Sequence, residues 1–113
     1  MSDDGLGGAP ISIPAVAKGR VRPFEPIDLV IVNDAVVRIA AIEGAFPWHH
    51  HDEDELFICW DGSFEIELEG REPVALHPGE LFVVLKGTRH RPVARGTAHA
   101  LMLERPDTKQ YGN

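Results

Sequence analysis

Residues 55–69 read Glu55-Leu56-Phe57-Ile58-Cys59-Trp60-Asp61-Gly62-Ser63-Phe64-Glu65-Ile66-Glu67-Leu68-Glu69, and this stretch decides the fold class. In its second half Phe64, Ile66 and Leu68 alternate with Glu65, Glu67 and Glu69, the two-residue period of a strand with one buried and one wet face. Asp61-Gly62 ahead of it is a hairpin turn signal, because both residues tolerate positive φ. The first half is apolar on both faces, with Phe57 and Cys59 on one side and Leu56, Ile58 and Trp60 on the other. Such a strand needs cover twice, from a barrel interior and from a second sheet or a subunit contact.

Working outward, the same reading gives strands at 28–32, 36–42, 55–60, 63–69, 74–76, 80–85, 91–94 and 99–104. Turn signals separate them at Asn33-Asp34, Gly44 to Pro47, Asp61-Gly62, Gly70, Pro78-Gly79, Gly87 and Gly96. Short strands at this even spacing predict an all-β sandwich or barrel. No segment holds a sustained helical period and no internal repeat is present. Toward the N-terminus, Pro14, Pro23 and Pro26 among Ile11, Ile13, Val16 and Val21 forbid a central strand and suit an extended arm lying on the barrel or on a partner. The expected organisation is a tail and arm over 1–26, loose up to about residue 10, a barrel over 27–106, and a C-terminal tail over 107–113.

The chain has 113 residues, 43% of them hydrophobic, enough for one domain with a real core. At this size the margin of stability is modest, and a ligated metal or a partner subunit would add to it. Eighteen acidic against eleven basic side chains give a formal charge of −7. No basic stripe is present to neutralise phosphates, so neither nucleic acid nor an anionic membrane surface is an expected partner. No apolar stretch reaches bilayer-spanning length, and the first residues lack the basic start and apolar run of a secretory signal. With the single cysteine, Cys59, no intrachain disulfide is possible, and a reducing cytoplasm is the expected compartment.

Three of the six histidines are consecutive, His49-His50-His51, followed by Asp52-Glu53-Asp54-Glu55. On a strand His49 and His51 point one way and His50 the other. Glu55 shares the parity of His49 and His51 only where the chain stays regular through the acidic stretch. His90, in Gly87-Thr88-Arg89-His90, comes from beyond a separate strand. Imidazoles with one carboxylate suit iron, manganese, nickel, cobalt, copper or zinc, and do not suit calcium or magnesium.

Gly44-Ala45-Phe46-Pro47-Trp48-His49-His50-His51-Asp52-Glu53-Asp54-Glu55, running on to Gly62, resembles the first motif of the cupin superfamily: a Gly, His-x-His, a Glu three or four residues on, and a Gly after six more. The spacing from Gly44 to His49 is one residue shorter than usual. Gly79-Glu80-Leu81-Phe82-Val83-Val84-Leu85-Lys86-Gly87-Thr88-Arg89-His90-Arg91-Pro92-Val93-Ala94 resembles the second motif. There Leu85 stands where Pro is usual and Ala94 where Asn is usual, which questions the turn near 85 and the hydrogen bonds around 94. The resemblance spans Gly44 to Ala94, roughly half the chain, and matches small single-domain bacterial cupins. It implies a jelly-roll β-barrel with His49, His51, Glu55 and His90 on one divalent transition metal near its mouth, and often a homodimer.

The other candidates have plainer readings. His50 is expected to face away in a structural role, and His77 and His99 to be ordinary surface or core residues. Asp52, Glu53 and Asp54 read as a solvated acidic loop. Cys59, inside an apolar strand with no activating base, reads as a small buried hydrophobe. Arg38 by default faces solvent, with a substrate-carboxylate clamp as the sharper alternative. Phe46, Trp48 and Phe57 read as core, with one or two forming an apolar pocket wall. The expected function is binding or transformation of a small organic molecule at the metal. Dioxygenase, isomerase and decarboxylase chemistry are the enzyme classes that the resemblance implies, and a non-catalytic sensor is the alternative. Fold alone does not choose among them.

Overall fold

Alternating side chains and glycine-marked turns produce seven antiparallel strands in the computed structural model, which describes residues 8–19 and 21–113. The expected loose start falls mostly on residues 1–7, outside the described residues. The strands are β1 (Ile27–Val32), β2 (Ala35–Ala45), β3 (Glu55–Asp61), β4 (Phe64–Leu68), β5 (Val74–Leu76), β6 (Leu81–Val84) and β7 (His90–Glu104). They run in the order β1-β2-β7-β3-β6, with β4 pairing both β5 and β7. The result is the expected all-β jelly roll.

β7 differs from the two separate strands expected at 91–94 and 99–104, being continuous across Gly96. Its first part pairs with β4, Leu68 opposite His90 and Glu65 opposite Val93. Its second part pairs with β3, Leu56 opposite Leu103 and Cys59 opposite Ala100. β2 accompanies both parts, with a register shift between Ile42 and Gly44. A glycine here marks a bend at which one strand passes between two partners, and bends of this kind do not end a strand.

The interior is filled from one parity of each strand: Ala40 and Ile42, Phe57 and Cys59, Phe64, Ile66 and Leu68, and Ala98, Ala100 and Met102. Gly62 turns β3 into β4 at φ +68, and a Cβ there would stand 2.7 Å from the Thr97 carbonyl oxygen, so no other residue fits without a shift.

The arm is not extended throughout. Ile13–Lys18 forms a short helix, α1, capped by Ser12, whose hydroxyl accepts from the Ala15 N–H at 3.2 Å. Six residues are too few to show a helical period, so the sequence pattern is silent about it. Ile11, Ile13, Val16 and Ala17 cover Leu29, Ile39 and Leu101 on the outer face of the sheet. Further along, Pro23 bridges Ala41 in an extended conformation, and the Phe24 N–H donates to the Ala41 carbonyl at 2.9 Å. The outer face of β3 is thus covered at Ile58, while Trp60 stays exposed, as do Leu81, Val83 and Leu103 on the neighbouring strands.

Candidate metal centre

The loop before β3 carries His49 and His51, the start of β7 carries His90, and the backbone stitches them together. The His49 N–H donates to the His90 carbonyl at 3.0 Å, the His90 N–H to the His49 carbonyl at 2.8 Å, and the Gly87 N–H to the His51 carbonyl at 2.8 Å. Glu55, the first residue of β3, completes the group. His49, His51, Glu55 and His90 are all buried, and each offers a donor atom within 4.8 Å of the others. The chain does not stay regular through the acidic stretch but bends at Asp52 and Glu53, and the bend brings Glu55 to the same point as His49 and His51.

The way these rings are held tells what they are ready for. His49 Nδ1 donates to the Pro47 carbonyl and His90 Nδ1 to the Thr88 carbonyl, each at 2.8 Å. A carbonyl oxygen only accepts, so the proton sits on Nδ1 and the Nε2 lone pair is free. Backbone anchoring of this kind is how ligating imidazoles are oriented. Glu55 Oε1 lies 3.4 Å from His90 Nε2 and 3.5 Å from His51 Nε2, too long for good hydrogen bonds. The four side chains converge on a common point rather than pairing with one another. The residues present therefore fit a single divalent transition metal.

Electrostatics agree. Burial, with the neighbouring His90 and His51, lowers the His49 pKa to about 4, so at neutral pH the ring is uncharged and able to ligate. Burial works to raise Glu55, but the facing His51 and His90 rings and the neighbouring Glu104 outweigh it and hold the carboxyl well below the usual carboxylate range.

Glu104 is the residue that sequence reading missed. It ends β7 and is 5% exposed. Burial and the adjacent Glu55 push it up to about 9, opposed by Arg38. Arg38 Nη1 donates to Glu104 Oε1 at 2.8 Å, Nε to Asp28 at 2.7 Å, and Nη2 to the Pro106 carbonyl at 2.8 Å. Glu104 Oε2 is buried without a hydrogen-bond donor among the described residues, so a proton held between it and Glu55 would serve both carboxyls. The default reading of Arg38 is corrected: its side chain is 13% exposed and shares the inward parity of Ala40 and Ile42. Its acids come from β1 and from the far end of β7, which no local rule detects. With three donors engaged it is not a free carboxylate clamp either.

Beside the cluster lies a cavity of about 60 Å³. Phe24, Phe46, Phe57 and Met102 give it an apolar wall, while His49, Glu55, Glu104, Arg38 and Gln110 supply the polar groups. Of the expected aromatic wall residues, Phe46 and Phe57 are there. Trp48 instead packs under Arg89 and Arg91, whose guanidinium carbons lie 5.5 and 4.9 Å from its ring centroid. An alert reader could have found Glu104 by parity, since it falls on the inward side with Ala100 and Met102. Nothing in the sequence pointed to Gln110 or Phe24.

The remaining candidates behave as ordinary residues. His50 and His77 are exposed. His99 Nδ1 pairs with Asp61 Oδ1 at 2.7 Å. Cys59 is buried, its Sγ 3.6 Å from the Asp61 and Gly62 carbonyls, and burial raises its pKa. Asp52 and Asp54 are exposed, and Asp54 accepts from the Lys86 N–H at 2.8 Å. Around Leu85 the turn closes without proline, the Thr88 N–H donating to the Leu85 carbonyl at 3.1 Å. Ala94 packs into the core opposite Gly44.

A jelly roll with three histidines and a glutamate gathered in this way defines a class, and the comparisons agree. The profile of the Cupin domain family matches residues 35–104. The chain belongs to the cupin family, and within it to the small bacterial cupins of the cupin-2 type. A curated relative, the uncharacterized protein YdbB of Bacillus subtilis (strain 168), is 43% identical over 61 residues, which is 53% of this chain and 54% of that protein. The match thus spans about half the length of that relative. A cupin-2 domain containing protein from Shewanella frigidimarina is 28% identical with a TM-score of 0.80, covering 84% of this chain and 93% of the other. Hydroquinone 1,2-dioxygenase from Sphingomonas sp. TTNP3, with 4-hydroxybenzoate bound, is 20% identical with a TM-score of 0.70, covering 80% and 70%, and shares the fold.

Proposed function

We propose that the chain binds one divalent transition metal through Nε2 of His49, His51 and His90 and the carboxylate of Glu55, and uses it to bind or transform a small organic molecule. The observation that carries this reading is the anchoring of His49 and His90 by their Nδ1 atoms to backbone carbonyls, which leaves their Nε2 lone pairs free in a cluster whose four donor atoms lie within 4.8 Å of one another. Hydrogen-bonded core histidines have no use for that arrangement. A bound divalent ion would polarise an oxygen atom of a ligand or activate a water. The chain's own residues do the rest. Phe24, Phe46, Phe57 and Met102 keep the cavity apolar and limit water. Glu104, in the same wall, can hold a proton at Oε2 or give it up there. A dioxygenase that binds an aromatic ligand on the same fold makes oxygenase chemistry the first to test. Isomerase and decarboxylase chemistry, or sensing without turnover, stand behind it.

The exposed apolar residues Leu81, Val83, Leu85 and Leu103 support a homodimer formed through the outer face of the sheet. The buried, unpaired Cys59 suits a reducing cytoplasm.

The test is metal analysis of protein purified without a tag or metal resin. It should be followed by oxygen uptake and product analysis with ferrous, manganous or nickel ion and a panel of catechols, flavonols, thiols and sugar phosphates. Stoichiometric metal is expected. Turnover of any compound marks an enzyme, whereas ligand-dependent stabilisation without turnover marks a sensor. Protein that takes up no metal from any of these ions would overturn the reading.

A further inference from the structure

We infer that residues 106–113 form a strap that gates the cavity by size, admitting ligands larger than a few heavy atoms only when it lifts. The inference rests on the metal-centre reading above and concerns what can reach that centre.

Beyond β7 the chain doubles back across the site rather than leaving it. It is tied first at the Pro106 carbonyl, which accepts from Arg38 at 2.8 Å. Next, the Gln110 amide donates to the Phe24 carbonyl. Then the Tyr111 ring stacks on Phe46, centroids 5.0 Å apart and planes 24° apart. Phe46 in turn meets His49 edge-on at 5.2 Å. Last, the Asn113 N–H donates to the His50 carbonyl at 2.9 Å, and the Asp52 N–H donates to Asn113 Oδ1 at 3.0 Å. The strap thus sits on the backbone of the histidine run itself.

Two details show that the seat is made to fit. Gly112 has φ +89, and a Cβ there would run into the His50 carbonyl oxygen and stand 3.0 Å from His49 Cβ. Only glycine lets the strap down. Phe24 holds φ +59, a conformation that a bulky residue adopts only under constraint, and its carbonyl is the one Gln110 grips. Strap and arm are therefore two leaves of one cover, cross-tied at that bond.

With the cover closed, the cavity measures about 60 Å³. Benzene occupies an apolar cavity of about 150 Å³, so in this partly open cavity an aromatic ring does not enter wholly until a leaf moves, whereas water or a triatomic ion does. The strap is the leaf that can move. Thr108 is buried at its root, but beyond it Lys109, Gln110, Tyr111 and Asn113 are all exposed and held by a few single hydrogen bonds and one stack, the pattern of a segment that opens locally without unfolding the barrel.

The experiment uses the full chain loaded with Co2+ and follows its visible bands on mixing with azide or with catechol, in wild type and in Gly112→Ala and Tyr111→Ala. If the strap is the gate, catechol association rises about tenfold in both variants, in step with the larger open fraction, while azide association hardly changes. No change in either probe, or an equal rise in both, would overturn it. A second arm needs no metal. The Asp52 and Asn113 amides, hidden only while the strap is seated, should exchange with deuterium together and much faster than the His49 and His90 amides of the barrel. Exchange as slow as that of the barrel amides overturns the gate even if no cobalt binds. A wild-type chain that binds no cobalt but shows the fast pair would sink the metal reading and leave the moving strap in place.

Discussion

The two ends of the barrel each set histidine beside a carboxylate, and they do it differently. At one end His99 meets Asp61 in a single short contact of 2.7 Å, and Asp61 also accepts the His99 backbone N–H at 3.0 Å. The Asp61 side chain is 50% exposed, so the pair is a wet, self-contained brace. At the other end three imidazoles crowd one buried carboxylate, the two that face Glu55 standing 3.4 and 3.5 Å away. Histidines that brace a fold satisfy their partner. In the cluster, His49 and His90 are held through Nδ1 by backbone carbonyls, while His51 Nδ1 is buried without a partner among the described residues.

The largest expected effect breaks that contrast if it fails. His51→Ala and His90→Ala should each lose bound metal by more than the roughly 10–100-fold that removal of an outer partner costs, while His99→Ala keeps it in full. Elemental analysis of the three proteins decides, and stoichiometric metal in the first two would show that the ligands are misassigned. Next comes Glu104. Glu104→Ala strips Arg38 of its buried acid and should cost roughly 3 kcal/mol in denaturant unfolding. Glu104→Gln, which keeps the shape and an acceptor for Arg38, should cost much less. His99→Ala, losing a half-exposed pair, should cost about 1 kcal/mol.

The remaining effects are in pH and are read on metal-free protein. His49, at about 4 when folded against 6.5 when free, binds its proton first in the unfolded chain. Its contribution is therefore present above pH 6.5 and lost as pH falls toward 4. Glu104 runs the other way. Folded, it titrates at about 9 against 4.5, so its contribution is full below pH 4.5 and lost as pH rises through 9. Glu104→Gln should flatten the alkaline side of the stability profile and leave the acid side alone. Identical profiles above pH 7 would show that the two carboxyls do not share a proton.

The contrast also explains what the sequence could tell. Strand parity and turn residues are local, and they were legible: Phe64, Ile66 and Leu68 inward and Gly62 at its turn; the four donors came through the resemblance of two motifs to the cupin pattern. α1 was hidden because six residues carry no period. Arg38 and Glu104 were misread or missed because their mutual bond joins residues 66 apart in the chain. The cover over the site was invisible for the same reason, since Gly112 looks like any glycine until His50 is beneath it.

β7 lends edges to β2, β3 and β4 and carries His90 at its start and Glu104 at its finish. None of those strands has its full complement of hydrogen bonds until β7 has arrived. Pairings of such long sequence separation are slow to form. On a ribosome, then, the first two histidines and Glu55 emerge long before anything can hold them in place. In a nascent chain that stretch stays loose, and the four donors come together only when the last strand threads between the others.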